Sequence, residues 1–154
     1  IIFLSIVFLF KSKKLAILSI LPNVLPLMVA GAIMGYLDIK LRPSTAMTFS
    51  IALGIAVDDT IHFLSRFRKE FKIYKNHSMA IKTTLLTTGK AIINTTIILG
   101  LGFVVFIFSE FVPNHEFGIL ATIILIVALA GSMVLLPVLI NYTKPKIKFN
   151  SSDE

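Results

Sequence analysis

Cysteine is absent from the 154 residues, which removes both a disulfide framework and any thiolate metal site. There is no Walker motif or Gly-rich phosphate loop, so nothing points to ATP as an energy source. No Ser/His/Asp array and no metal-ligand spacing appears, so neither an enzyme nor a metal or other cofactor is expected. The chain carries no initiator Met and opens inside an apolar run, Ile1 to Phe10. That run is too short to span a bilayer and lacks a basic n-region, so it is not a signal peptide. It is expected to be the end of a truncated helix, and the chain the C-terminal piece of a longer protein whose N-terminal half is its partner. Acidic residues are few, 8 against 15 lysines and arginines, for a net charge of +7. The basic residues are not interleaved with exposed aromatics, which argues against nucleic acid. They cluster beside apolar runs, the pattern of a membrane protein.

What the chain has in excess is apolar sequence. Hydrophobic residues make up 56% and the mean hydropathy is +0.90, too apolar for a soluble domain of this length. A spanning helix needs about 20 such residues. The sequence therefore predicts an all-α membrane protein, a helical transmembrane bundle with one truncated and four complete spans. The truncated one lies at about 1–10, the complete ones at about 15–37, 44–65, 91–109 and 117–140. The first complete span holds Pro22 and Pro26, which neighbouring helices make tolerable, and Gly31-xxx-Gly35, a close-packing face. Ser44 or Thr45 is expected to start the second. Between the second and third, Ser78 is expected to cap a short interfacial helix running to about Gly89 and lying on the cytoplasmic membrane surface. Residues 142–154 form a polar, basic and then acidic tail, expected to be disordered.

Charge checks the topology. Four spans place segments 11–14, 66–90 and 141–154 on one side and the links 38–43 and 110–116 on the other. Of the 15 lysines and arginines, all but Lys40 and Arg42 fall on the first side. By the positive-inside rule that side, with the C-terminus, is cytoplasmic. The expected location is the cell (inner) membrane, multi-pass, with membrane lipids as partners.

The chemistry lies in the second span, Gly54-Ile-Ala-Val-Asp58-Asp59-Thr60-Ile-His62. A carboxylate near the bilayer centre costs roughly 2.5–3.5 kcal/mol on insertion scales, so intramembrane acids usually mark a proton or ion path. At 3.6 residues per turn Gly54, Asp58, His62 and Arg66 share one face, and Asp59 points about 100° away. Asp58 is expected in a water-poor interior, where burial and a like-charged neighbour favour taking up a proton. Gly54 would let another helix approach the acid, and His62 would relay protons toward the cytoplasm. Either aspartate can instead be a structural polar group, and His62 a solvated helix-end residue. Asn94, Thr95 and Thr96 form a polar step at similar depth in the third span. They are expected either to hydrogen-bond the acids or to act as interhelical glue. Glu110, His115 and Glu116 read as a solvated outer loop.

The run Gly54-Ile-Ala-Val-Asp58-Asp59-Thr60-Ile-His62-Phe63 followed by Arg66-Phe-Arg68 resembles the acidic helix of the resistance-nodulation-division superfamily, nearest the MMPL-type exporters and related to sterol-sensing-domain proteins. Leu21-Pro22-Asn23-xx-Pro26, Gly89-Lys90-Ala91-Ile92 with Thr95-Thr96, Phe117-Gly118 and Leu136-Pro137 resemble the neighbouring helices. The resemblance implies proton-driven export of lipids or other hydrophobic substrates, with Asp58 as the relay aspartate. It implies that the chain is the last five helices of the second of two halves. A homo-oligomer is a further expected partner. Many members of this branch have Asp-Tyr where this chain has Asp58-Asp59, which leaves the part of Asp59 open. Gly131-Ser132 stands where some relatives are expected to carry an acid. A sterol- or lipid-sensing module without transport, and an accessory subunit of protein-export machinery, are the alternatives.

Overall fold

The structure is a computed structural model that describes residues 13–144. The expected truncated helix at 1–10 and the tail from 145 onward lie outside the described residues. Within them the chain forms four long helices and no strand. We number them α1 (Lys13–Tyr36), α2 (Pro43–Tyr74), α3 (His77–Ile107) and α4 (Val112–Thr143). Each is long and apolar enough to cross a membrane.

Backbone chemistry explains where the helices start, stop and deform. In α1, Pro22 and Pro26 lack the N–H that would bond the carbonyl four residues back. Pro26 therefore leaves the Pro22 carbonyl without its intrahelical donor. Pro43 starts α2 with its φ already helical. Thr45 Oγ1 closes that end by accepting from the Arg42 N–H at 2.8 Å and donating to the Arg42 carbonyl at 2.9 Å. At the far end Lys75 turns left-handed, φ 50°, and its N–H bonds the Phe71 carbonyl. Asn76 then caps α3, its Oδ1 accepting from Ser78 N–H at 2.9 Å.

Two expectations change here. Asn76, not Ser78, is the cap. The segment expected to lie on the membrane as a separate interfacial helix instead runs unbroken into the third span. It passes through a π-helical turn, Leu85–Gly89. The reason is packing: Ala80, Ile81 and Thr84 are buried against the basic extension of α2. His77 lies over Phe71, ring centroids 4.4 Å apart. A helix sunk into a neighbour on that face has a better place for its apolar residues than the bilayer surface.

A second π-helical turn, Gly131–Leu135, interrupts α4. The Leu136 N–H reaches the Gly131 carbonyl five residues back, just before Pro137, which has no N–H to offer. Both turns pack closely. A Cβ on Gly131 would sit 3.2 Å from the carbonyl oxygen of Pro22, the one Pro26 leaves free. A Cβ on Gly89 would meet Met133 Sδ at 3.3 Å.

The core has two parts. At the basic end Phe63, Leu64 and Phe67 of α2 interlock with Ala80, Ile81 and Ile92 of α3 and Leu136 and Ile140 of α4. At the other end Ala30 and Met34 of α1 meet Ala52 of α2 and Leu120 and Ile124 of α4. The half of α3 beyond Lys90 shows Ile93, Ile97, Ile98, Leu101 and Val105 outward. In hydrocarbon that exposure carries no penalty, because acyl chains are as apolar as the side chains.

The links at the end away from the basic residues are tied rather than merely solvated. Arg42 Nη1 lies 3.5 Å from Glu116 Oε2, joining the start of α2 to the start of α4. His115 Nδ1 is 2.6 Å from the Ile107 carbonyl at the end of α3. The spacing of Glu110, His115 and Glu116 had suggested only a solvated loop. The partners are 74 and 8 residues away, so only the fold brings them together.

Candidate functional site

The site is built on the middle of α2, a helix of 32 residues and about 48 Å. Successive residues there point about 100° apart, and the bundle covers only part of the circumference. Asp58 and Asp59 consequently meet different surroundings.

Asp58 lies on the outside of the bundle. Its side chain is 70% exposed, and His62, one turn further, is 66% exposed. His62 Nε2 is 3.4 Å from Asp58 Oδ1, within ion-pair reach when the ring is protonated. Gly54, one turn earlier, has no atom within 4 Å of where a Cβ would be, and Ser50 before it is exposed as well. Ser50, Gly54, Asp58 and His62 thus form an open stripe of small and polar residues along α2. Arg66 leaves the stripe and turns to Glu70, Nη2 to Oε1 2.7 Å. The expected shared face is real, but it faces outward, so the described residues do not themselves supply the water-poor surroundings expected for Asp58. The bundle packs α2 through the opposite face, where Ala56, Val57, Phe63 and Leu64 sit.

Asp59 takes the interior position instead. It is 7% exposed, and its Oδ2 is buried without a hydrogen-bond partner. Thr60 is also buried; its Oγ1 is 2.8 Å from Asn23 Oδ1 on α1 and 2.9 Å from the Ala56 carbonyl. One hydroxyl hydrogen serves one of these acceptors at a time. Ser19 and Asn23 of α1 and Ser132 of α4 are buried as well, giving the bundle a polar interior despite its composition. Neither Asn23, part of the Leu21–Pro26 resemblance, nor Ser132 is a site residue expected from the sequence. The Thr60–Asn23 pair spans 37 residues of sequence, and Ser132 was noted only for standing where an acid was expected.

The polar step on α3 divides. Asn94 and Thr95 face outward, and Thr95 Oγ1 donates to carbonyls of its own helix, Ile92 at 2.9 Å and Ala91 at 3.2 Å. Only Thr96 is buried. Of the two readings open for these residues, a gathering at the aspartates is not what Asn94 and Thr95 do, because α3 turns little of its surface into the bundle here.

Chemically the arrangement is two carboxyl groups, adjacent in sequence and about 100° apart around one helix, one outside the bundle and one inside it. The outer one has a titratable imidazole beside it. The inner one has an oxygen free to receive a donor. Hydrocarbon is a costly neighbour for the outer pair, since a charge at mid-bilayer costs roughly 2.5–3.5 kcal/mol. Protein or water against the stripe removes that cost.

Comparison with known proteins agrees with this architecture. A family model described as the MMPL family matches residues 1–149. A protein of Methanocaldococcus jannaschii, described no further than as a membrane protein, is 27% identical over 139 residues. The match covers 90% of this chain and 36% of that protein. Protein patched homolog 1 of Caenorhabditis elegans is 31% identical over 115 residues, covering 73% of this chain and 8% of that one. The chain thus spans about a third of one relative and under a tenth of the other. No solved structure matches it significantly.

Proposed function

This chain belongs to the MMPL family, and from that premise we propose that it is the membrane part of a proton-driven exporter of lipids or other hydrophobic compounds. The observation that carries the reading is the mid-span carboxyl of Asp58, exposed on the bundle surface 3.4 Å from His62. A stripe holding an acid and a histidine is suited to lie against a second membrane-embedded surface and to pass protons along the seam. That surface belongs to the remainder of the longer protein or to a second copy. Taking up a proton at Asp58 removes a charge from the seam, and its release restores it. This is a local electrostatic change able to bias two packing arrangements, with motion delivered to the part of the protein that handles substrate. Asp59, inside the wall, is a second group for the same relay, and Gly54 keeps the seam narrow beside the acid. The basic end of the bundle faces the cytoplasm in this reading, with the C-terminus inside the cell.

The test uses the full-length protein in liposomes with an imposed pH gradient, acidic outside. Asp58→Asn keeps the size of the side chain and removes its titration. It is expected to abolish both gradient-driven export of a fluorescent lipid analogue and the accompanying proton influx, with expression unchanged. Asp58→Glu is expected to retain part of both. Export by Asp58→Asn at the wild-type rate under the same gradient would overturn the assignment.

A further inference from the structure

The basic end of the bundle carries a groove that the proton path does not use. It lies between the first turns of α3 and the last turns of α4 and encloses about 340 Å³. Ile81, Leu85 and Pro137 line its apolar wall, and Ser78, Lys82 and Asn141 supply its polar groups. A second groove of about 360 Å³ lies deeper, against α1, lined by Leu25, Ala130, Val134 and Leu135. Val138 lines both. Two mainly apolar grooves of similar size, the first with a polar rim, therefore share one lining residue on α4.

Depth assigns these volumes to different layers of a membrane. Helix α3 is 31 residues long, about 46 Å, while the hydrocarbon is about 30 Å thick. Its apolar run begins just after Lys90, so Ser78 and Lys82 overhang into the headgroup layer. Helix α4 matches it from the other side, with Tyr142, 88% exposed, at the level where interfacial tyrosines sit. The deeper groove is lined only by apolar residues and glycine of the spans, the lining expected at hydrocarbon depth.

Charge selects the occupant. No acidic residue occurs from His77 to Ser109 or from Phe117 to Lys144. Glu70, at the same end, is buried and paired with Arg66. Lys82 is exposed at the groove, and Ser78 lies in the first turn of α3, the positive end of that helix. We propose that the two grooves together hold one anionic phospholipid of the leaflet at the basic end. Its phosphate sits among Lys82, Ser78 and Asn141, and an acyl chain passes over Val138 into the groove beside Leu25 and Val134. The site is separate from the acidic stripe and stands whether or not Asp58 carries protons.

Native mass spectrometry of the full-length protein in neutral detergent tests this. The probes are dioleoylphosphatidylglycerol and dioleoylphosphatidylcholine at equal concentration. One lysine near an anionic headgroup contributes about 1 kcal/mol, so wild type is expected to retain the anionic lipid about fivefold more than the zwitterionic one. Lys82→Gln is expected to erase that preference, and Val138→Trp, which fills the shared edge, to reduce retention of both lipids. Lys69→Gln, an exposed lysine outside the groove, is expected to leave the preference intact. Excess inorganic phosphate should not displace the lipid, because the acyl chain contributes to holding it. Equal retention of both lipids would overturn the proposal. So would equal losses in Lys82→Gln and Lys69→Gln, which mean a diffuse basic surface. Displacement by phosphate alone, or no retained lipid at all, as when protein covers the groove, would overturn it too.

Discussion

Gly118 shows how little room α3 and α4 leave each other near the end opposite the basic residues. A Cβ there would lie 2.8 Å from the Ile107 backbone nitrogen and 2.9 Å from the Phe106 carbonyl carbon. These are main-chain atoms, unable to rotate aside as a side-chain tip would. Phe106 and Phe103 also close on Phe117 edge-to-face, at 5.6 and 5.7 Å. Gly118→Ala is expected to destabilise the bundle by about 1–3 kcal/mol, the usual range for overpacking. Gly102→Ala, inside the same helix at a position with nothing within 4 Å, is expected to stabilise by up to about 1 kcal/mol, since alanine is the better helix former. Unfolding in sodium dodecyl sulfate followed by circular dichroism separates the two. Equal effects would mean that the close approach of α4 to α3 is not present in the folded protein.

At the scale of the element, α2 is the helix on which the others depend. Its middle carries the aspartates and its basic extension forms the floor for α3 and α4. The extension is fixed by Arg66 and Glu70, one turn apart, with the glutamate side chain 7% exposed. Removing only the guanidinium leaves a buried carboxylate without its cation, which costs more than the pair itself contributes. Arg66→Ala is expected to lose about 1.5–3 kcal/mol. Adding Glu70→Ala should return part of that loss, because the stranded charge goes with it. The same unfolding assay applied to the single and double variants tests this, and a strictly additive further loss in the double variant would contradict it.

At the scale of the whole molecule, the asymmetry of charge predicts which end of the bundle faces the cytoplasm. Among the described residues, the lysines and arginines other than Lys40 and Arg42 lie at one end of the spans. The absence of native cysteine in this chain makes orientation simple to measure. With no other cysteine in the full-length protein, Lys75→Cys and Asp38→Cys each introduce a single thiol, one in the α2–α3 turn and one in the α1–α2 link. In intact cells a membrane-impermeant maleimide is expected to label Asp38→Cys, while Lys75→Cys reacts only after the cells are opened. The reverse pattern would invert the bundle, and with it the leaflet assigned to the lipid groove.

The amino-acid order by itself determined four apolar spans and the angular separation of Asp58 from Asp59. These follow from run length and from 3.6 residues per turn, both local quantities. Which aspartate is buried was decided only by tertiary structure. Helical periodicity places two residues on different faces but does not say which face meets a neighbour when nearly every surrounding residue is apolar. For the same reason the sequence could not show that Thr60 meets Asn23, or that Asn94 and Thr95 look outward. Nor could it show that residues 77–89 continue as one helix with the third span, since that continuity depends on the flank of α2 against which they pack. In a soluble helix a polar stripe marks the outside. In this chain the outside is hydrocarbon, so hydrophobicity marks depth in the membrane, and only packing separates inside from out.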